Sequence, residues 1–386
     1  MNRINTLFSI GFRYFFLTAT LFSTILMGLW VFIYGMHLPL NSFDYYSSIT
    51  WHAHEMIFGY GMAVVAGFLL TAIRNWTRIQ TVSGTGLMLL VVAWILGRIA
   101  PFVLNQEWLI ALVDMLFLPA LAVFVAIPLV KAGNKRNYFM VGMIVLMALL
   151  NLLLHLDKIG VVQNTAIPAY KTAFYIIIAL IIVMAGRVFP MFSQNGVLVR
   201  YQVVKYPLIE KLVMPSYFVF ILSLLFIGLP ILTAITAILA AVIHAIRLKG
   251  WYNRQIWQVP LVWVLHVGYL FLIVGFVMTA ISQYQPSLYF LALHAFSIGT
   301  LGIVTIGMMA RVSIGHTGRD LCFPPKLLKP VFMLMVLAVI VRVFVPLVVP
   351  SVYQWTIVVS GSLWVVAFAL FVLSNAKILV SPRVDG

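Results

Sequence analysis

Long apolar runs separated by short polar segments dominate the pattern of hydrophobic and polar positions along the chain. A run of about 20 apolar residues is long enough to cross a bilayer as a helix. A Gly-Leu-Pro turn signal at 228–230 separates the seventh and eighth runs, although it would also fit a kink. We therefore expect an all-α, polytopic transmembrane bundle that forms a single integral membrane domain, residues 1–386. The pattern predicts twelve helices, at roughly 14–36, 51–73, 84–104, 108–130, 138–157, 168–190, 212–228, 231–248, 256–282, 288–311, 328–349 and 352–376.

The composition supports a membrane protein, since 64% of the 386 residues are hydrophobic and only 8% are charged. A formal net charge of +16 would suggest nucleic acid as the partner of a soluble protein. Here the basic residues lie in short loops between apolar runs, so we expect contacts with membrane lipids and no nucleic-acid partner. Loops with basic residues alternate with loops nearly free of them, and both termini are basic, which predicts that both termini are cytoplasmic.

The tenth apolar run resembles the second when it is moved back by 240 residues. His294 then aligns with His54, and several glycines align as well. The third and eleventh runs match loosely, with Arg342 four residues away from the position that corresponds to Arg98. A weaker match relates the end of the sixth run to the tenth. These similarities are consistent with three repeats of four helices, as in a bundle that grew by duplication.

Histidine is the main candidate for a cofactor ligand. The single cysteine, Cys322, excludes an internal disulfide and a thiolate cluster. His54 and His294 both lie near the predicted outer ends of their helices. Two neutral imidazoles on different helices can hold a haem iron between them. The alternative is that these histidines form hydrogen bonds with other helices or with each other.

His52 lies two residues before His54 and therefore points to nearly the opposite side of the helix. Either His52 faces a second site, or it is the haem ligand and His54 is its neighbour. His52 shares its side of the helix with a stripe of small residues that includes Gly59 and Gly67. Such a stripe permits close helix packing or leaves room for a large flat group. Glu55 can orient either histidine ring as a hydrogen-bond acceptor.

Two arginines lie inside apolar runs, Arg98 in the third and Arg342 in the eleventh. A buried arginine requires an anion, and the carboxylates of a haem would suit both. Asp114 in the fourth run is the competing partner, and it is also a candidate to support the ligands. His266 lies near the middle of the membrane, where it is a metal ligand, a proton relay or a histidine that is simply hydrogen-bonded.

Several short motifs occur in order along most of the chain. They are WHAHEMIFGY at 51–60, NWT at 75–77, GRVFPMF at 186–192, NG at 195–196, HAFSIG at 294–299 and GHTGR at 315–319. These motifs resemble those of the NnrS family. The resemblance implies a haem- and copper-containing protein of the bacterial inner membrane that is linked to nitric oxide and nitrosative stress. Haem b, copper and nitric oxide are therefore expected cofactors or ligands, and a membrane electron donor is an expected partner.

A more remote similarity relates the chain to the catalytic subunit of haem-copper oxidases and nitric oxide reductases. In that superfamily a low-spin haem is held between helices two and ten, which implicates His54 or His52 together with His294. Arg342 and Arg98 would then lie near the haem propionates. The superfamily builds its second metal site from histidines on helices six and seven, and the corresponding runs here contain none. Any copper must therefore use other histidines, and the available ones are His37, His52, His155 and His266.

The sequence thus predicts a haem-binding membrane protein that binds or processes nitric oxide, or that transfers electrons through a histidine-ligated haem. It would be an oxidoreductase if it turns nitric oxide over. The competing class is a transporter of a metal or of haem, with the histidines as a transit path. A transporter needs polar residues at mid-membrane, where this sequence is mostly apolar apart from His266.

Overall fold

The computed structural model describes residues 6–36, 45–197, 199 and 201–385. These residues form helices and turns, and none of them belongs to a β-strand. The all-α class and the twelve apolar helices predicted from the sequence are confirmed. The predicted and observed ends differ by at most five residues, as at the end of the sixth helix, 190 against 195. In chain order the described helices long and apolar enough to span a membrane are α1 (Gly11–Gly35), α2 (Ser48–Thr77), α3 (Gly84–Val103), α4 (Glu107–Lys131), α5 (Lys135–Ile159), α6 (Ala166–Asn195), α7 (Pro207–Ile227), α8 (Pro230–Trp251), α9 (Pro260–Ser282), α10 (Pro286–Gly315), α11 (Leu328–Val348) and α12 (Pro350–Val380).

The Gly-Leu-Pro segment between α7 and α8 forms a turn between two helices. Gly228 has a φ of +67°, a left-handed conformation that glycine adopts without the clash of a Cβ atom. Pro230 then begins α8, where its missing N–H costs no hydrogen bond. The two short apolar runs are therefore separate helices and not one kinked helix.

Contacts divide the chain into two compact units. Unit 1 comprises Met1–Ile176, His316–Arg319 and Val372–Gly386, and unit 2 comprises Ile177–Gly315 and Asp320–Phe371. In unit 1, α2 packs against α1 and α4, and 78% of its apolar stretch is buried. In unit 2, α9 and α10 are the interior helices, each with 72% of its apolar stretch buried. The assignment of residues 1–386 to a single domain and the cytoplasmic location of the termini stay predictions.

The helices α2 and α10 share an irregularity at corresponding positions. In α2 a π-helical segment, Glu55–Gly61, begins directly after His54. In α10 a π-helical segment, Ala295–Gly302, begins directly after His294. Short π-helical segments within α-helices frequently occur at functional sites. The 240-residue correspondence seen in the sequence is therefore also present in the backbone, whereas α6 is α-helical throughout and its place as a third repeat stays a prediction.

The stripe of small residues provides close packing between helices. A Cβ atom added to Gly67 would lie 2.8 Å from the ring of Phe16, within unit 1. In unit 2, a Cβ atom on Gly302 would lie 2.5 Å from the ring of Trp364. Aromatic rings thus occupy the space beside these glycines, and a large flat group would have to displace them.

We predict that Gly302→Ala destabilises the protein because the added methyl group must displace the buried ring of Trp364. Overpacking of this kind costs about 1–3 kcal/mol. The thermal midpoint of unfolding of the detergent-solubilised variant, followed by tryptophan fluorescence, measures the effect. Gly142→Ala is the matched control, since its Cβ meets no atom within 4 Å. Equal midpoints for the two variants would contradict the packing that we describe.

Candidate metal centre

Buried polar side chains from four consecutive helices meet within unit 1. Five of them were considered from the sequence as ligands, supporting groups or haem contacts, and one, Asn151 on α5, was not. All are less than one tenth exposed, which is unusual for charged residues unless they are paired. The cluster consists of His54 and Glu55 on α2, Arg98 on α3, Asp114 on α4, and Asn151 and His155 on α5.

Local helix geometry explains how these side chains reach the cluster. Asn151 and His155 are four residues apart on α5 and therefore lie on one side of that helix. His54 and Glu55 are neighbours in sequence, and the change from α-helix to π-helix falls between them. Their side chains nevertheless contact each other, with His54 Nδ1 3.0 Å from Glu55 Oε1.

Three ligand atoms of the cluster converge on one point. His54, Asp114 and His155 each offer one ligand atom, and these atoms lie within 4.8 Å of one another. Asp114 Oδ2 is 3.4 Å from His54 Nε2 and 3.0 Å from His155 Nε2. Donors on a tetrahedral ion with bonds of about 2.1 Å are separated by about 3.4 Å. Two imidazoles and one carboxylate are therefore spaced to hold a single metal ion such as copper, iron or zinc.

A second layer of hydrogen bonds orients these three side chains. The Tyr45 hydroxyl lies 2.7 Å from His155 Nδ1, and Glu55 contacts His54 Nδ1. The Asn151 amide donates to Asp114 Oδ2 over 2.7 Å, and its oxygen lies 3.0 Å from His54 Nε2. Histidine ligands usually carry such a partner on the second ring nitrogen, because it fixes both tautomer and ring orientation.

Arg98 connects the two carboxylates of the cluster. Its Nε lies 2.9 Å from Glu55 Oε2, an ion pair without the angle of a hydrogen bond, and its terminal nitrogen donates to Asp114. Of the partners considered for Arg98, the structure thus provides Asp114 and adds Glu55. Two carboxylates against one guanidinium leave one buried negative charge. A proton on a histidine or a bound cation can neutralise it.

Two tyrosines in the segment before α2 complete the cluster. The ring of Tyr46 stacks on the ring of His54 at 4.9 Å, and its buried hydroxyl has no hydrogen-bond partner among the described residues. Burial raises the pKa of both Tyr45 and Tyr46, and the negative charge of Asp114 raises it further. Both hydroxyls therefore stay protonated near neutral pH.

The other histidines proposed from the sequence lie elsewhere. His52 stacks on Trp30 in unit 1 at 4.4 Å, away from the three converging atoms. In unit 2, His266 Nδ1 lies 3.1 Å from Val262 O. His37 lies outside the described residues.

His294 and Arg342 also belong to unit 2. His294 Nδ1 donates to Phe290 O over 2.5 Å, and because a carbonyl can only accept, the neutral ring carries its lone pair on Nε2. Metal-ligating histidines commonly use this tautomer. Arg342 donates to the hydroxyl of Tyr353 over 3.0 Å. The helix segment that ends at His294 packs against the helix that carries Arg342.

Tyr45, Tyr46 and Asn151 were not identified from the sequence, and His155 was considered only as one of several copper ligands. The spacing of Asn151 and His155 is a signal that would have found α5, since two polar residues four apart in an apolar helix share one side. Tyr45 and Tyr46 precede α2 in a segment without hydrophobic periodicity, so no sequence pattern relates them to the cluster.

The fold and the cluster define a multi-pass helical membrane protein with a buried His-Asp-His group that can bind a metal ion. A family model described as NnrS protein matches residues 6–383. The chain therefore belongs to the NnrS family, and the resemblance seen in its motifs is confirmed. No curated protein matches the chain.

We predict that Asp114→Ala destabilises the protein, because it removes the buried acceptor that Arg98, Asn151 and His155 share. A buried donor that is left unsatisfied costs about 1–3 kcal/mol. Glu107→Ala is the control, since Glu107 is partly exposed and its pair with Lys158 is worth at most about 1 kcal/mol. Thermal unfolding in detergent compares the two variants. A loss for Asp114→Ala no larger than for the control would contradict the described ion-pair network.

Proposed function

We propose that this protein binds a redox-active metal ion at His54, Asp114 and His155, binds haem b through His294, and uses these centres in nitric oxide metabolism. Its place is the bacterial inner membrane, where it binds or processes nitric oxide, or transfers electrons from a membrane donor, and so protects against nitrosative stress. Membership of the NnrS family supports the proposal. The observation that carries it is the convergence of three buried ligand atoms within 4.8 Å.

A small ion fits at His54, whereas a haem does not. Both ring nitrogens of His54 already face oxygen atoms of Glu55 and Asn151. The ring is also enclosed by Tyr46 at 4.9 Å and by Phe58 at 5.1 Å. A haem would have to displace these groups, while an ion at Nε2 replaces a single hydrogen. We therefore assign an ion to this site and do not assign His54 to the haem.

Copper is the ion that we assign to this site. Imidazole nitrogen suits copper, iron and zinc, and the cluster has no thiolate that would select otherwise. Among divalent ions of the first transition row, sites with nitrogen and oxygen donors generally bind Cu²⁺ most tightly. The surplus negative charge of the cluster, left by Glu55 and Asp114 against Arg98, also favours a cation.

His294 is the haem ligand of this proposal. Its hydrogen bond to Phe290 O presents Nε2 as the lone-pair nitrogen, which is the form that an iron requires. A haem bound there supplies an iron that binds nitric oxide and exchanges electrons. The alternative ligand suggested by the sequence is His52, whose ring stacks on Trp30.

A transporter is the other function considered from the sequence, and the geometry of unit 1 does not favour it. A transit path requires successive sites along the membrane normal, with room for movement between them. The polar residues of the cluster instead contact one another directly and are locked by ion pairs. A structure of this kind holds an ion in place.

We predict that His155→Ala abolishes high-affinity copper binding, since it removes one of three ligands. Tyr45→Phe keeps the ligand but removes the hydrogen bond to it, and we expect a loss of affinity of about tenfold to a hundredfold. Metal analysis and competition with a copper chelator measure both variants in detergent. His266→Gln is the control that should bind copper as the wild type does. Copper binding by His155→Ala at wild-type affinity would exclude the proposed site.

We predict that His294→Ala loses the haem bands of the reduced-minus-oxidised visible spectrum and keeps the copper. His155→Ala should show the reverse, because the two centres use different ligands. Nitric oxide added to the reduced wild type should shift the haem bands. If the wild type purified from haem-sufficient cells shows no haem bands, the haem assignment fails and a transporter becomes the better-supported function.

A further inference from the structure

A second buried polar network lies in unit 2 and joins three of its helices. The His244 ring on α8 is fully buried, and its Nδ1 lies 2.7 Å from the hydroxyl of Tyr269 on α9. Arg247, three residues further along α8, donates to the same hydroxyl over 3.1 Å. Glu210 on α7 accepts two hydrogen bonds from Arg247, over 2.7 Å and 3.0 Å. The function proposed above makes no use of this network.

Two residues of the GRVFPMF motif on α6 pack against this network. A Cβ atom on Gly186 would overlap a terminal nitrogen of Arg247, so the missing side chain lets the guanidinium approach α6. The ring of Phe189 lies 6.0 Å from the ring of Trp251 and 6.1 Å from the ring of Tyr269. The motif therefore contributes packing around Arg247 and Tyr269.

The hydrogen bonds of the network determine which nitrogen of His244 carries the hydrogen. A guanidinium only donates, so the Tyr269 hydroxyl accepts from Arg247 and keeps its own hydrogen to donate. His244 Nδ1, 2.7 Å away, is the acceptor for that hydrogen. The opposite arrangement would leave the buried hydroxyl hydrogen of Tyr269 without an acceptor, which is costly. His244 is therefore a neutral imidazole with its hydrogen on Nε2.

The N–H group at His244 Nε2 is a donor without an acceptor. This atom is buried, and it has no hydrogen-bond partner among the described residues. The ring of Phe276 lies 5.3 Å from the His244 ring and packs in turn against Phe220 and Phe296, at 5.1 Å and 5.3 Å. A buried water typically makes about three hydrogen bonds, and these hydrocarbon rings offer it none. A water molecule at Nε2 would therefore be poorly held.

The missing partner of Nε2 is expected to be uncharged. Arg247 is balanced by Glu210, and the neutral ring of His244 adds no charge. An anion would bring a buried charge that nothing in the network balances. A metal ion requires a lone pair, which Nε2 lacks while it carries the hydrogen. An acceptor oxygen on a neutral, otherwise apolar molecule meets these conditions.

The network is close to the lipid-facing side of unit 2. Only 28% of the apolar stretch of α7, which carries Glu210 and packs against α8, is buried. Its exposed side chains include Phe218 and Phe226, which in a membrane contact lipid. A ligand dissolved in the bilayer would thus be separated from the network by a single helix.

We propose that His244 Nε2 donates a hydrogen bond to the carbonyl oxygen of a membrane quinone. A quinone is neutral and dissolves in the bilayer, and its ring can stack on an aromatic ring such as that of Phe276. The reduced form of a quinone is a carrier of electrons within membranes. The inference thus names the chemical class of the membrane electron donor. Only this role rests on the proposed function, whereas the binding site does not.

The affinity test uses a matched pair of apolar ligands. Delipidated protein in detergent is titrated with decylubiquinone and with decylbenzene, which keeps a ring and the alkyl chain but has no carbonyl oxygen. We expect the wild type to prefer the quinone. His244→Leu should reduce this preference by about two- to tenfold, the range of one hydrogen bond, and His244→Gln, which retains an N–H donor, should keep part of it. His316→Leu removes an imidazole from unit 1 and should leave the preference unchanged.

The carbonyl stretching band of the bound quinone tests the hydrogen bond itself. A hydrogen bond to a carbonyl lowers its stretching frequency, so infrared difference spectra of the wild type should show a band below that of decylubiquinone in detergent alone. His244→Leu should lose this band. Tyr269→Phe no longer holds the hydrogen at Nε2 and should weaken it. A purely structural role of His244 would not produce the shifted band.

Two results on the wild type would overturn the inference without any variant, namely equal affinities for decylubiquinone and decylbenzene, or an unshifted carbonyl band. An unchanged preference in His244→Leu would overturn it as well. If His244→Leu cannot be purified, an unchanged carbonyl band in both His244→Gln and Tyr269→Phe has the same meaning. Quinone binding by a protein without haem bands would support the site while the haem assignment fails. A haem-containing wild type without quinone preference would overturn this inference alone.

Discussion

The ion pairs that Arg98 forms with Glu55 and Asp114 are the interaction on which the structure of unit 1 depends. Within a membrane-spanning bundle each isolated charge would cost several kcal/mol, so these three groups are stable only together. Because they come from α2, α3 and α4, their pairing fixes these helices relative to one another. Asn151 and His155 extend the constraint to α5 through Asp114. The ligand atoms are therefore positioned by the same contacts that hold the helices together.

The charges that position the ligand atoms also determine which ionic charge the site favours. The cluster has one more carboxylate than guanidinium, and a buried surplus charge is neutralised wherever possible. On the proposed assignment, a singly charged ion brings the cluster to neutrality and a doubly charged ion reverses its sign. Burial thus favours the lower charge of a redox-active ion. The hydrogen bond between His155 Nδ1 and the Tyr45 hydroxyl and the one from Asn151 to Asp114 act in addition, since they hold ligands that would otherwise rearrange when the charge changes.

The sequence predicted the fold much better than the site. Bilayer thickness sets a minimum length for each apolar run, so all twelve helices and most of their ends could be predicted. The polar residues His54, Arg98 and Asp114 could be identified as candidates because they lie within these apolar runs. The pair of Arg98 with Asp114 was considered from the sequence. The convergence of His54 and His155 on Asp114 was not predictable, because the apolar pattern of a membrane helix does not show which neighbour it faces. The π-helical segments have no sequence rule, and they alter the direction of every side chain that follows. His54 was expected at a haem, and the proposal above assigns it to a metal ion instead.

The predicted correspondence of α2 and α3 with α10 and α11 allows their charges to be compared. Both units keep an arginine toward the end of corresponding helices, and in both a π-helical segment begins one residue after a histidine. In unit 1 two carboxylates surround Arg98 and leave a negative surplus, which a cation balances. In unit 2 Ala295 and Gln354 stand where carboxylates would be needed, and Arg342 leaves a positive surplus. Because a buried surplus charge is costly, the metal ion proposed for unit 1 would balance its negative surplus, as a proton on a histidine also would.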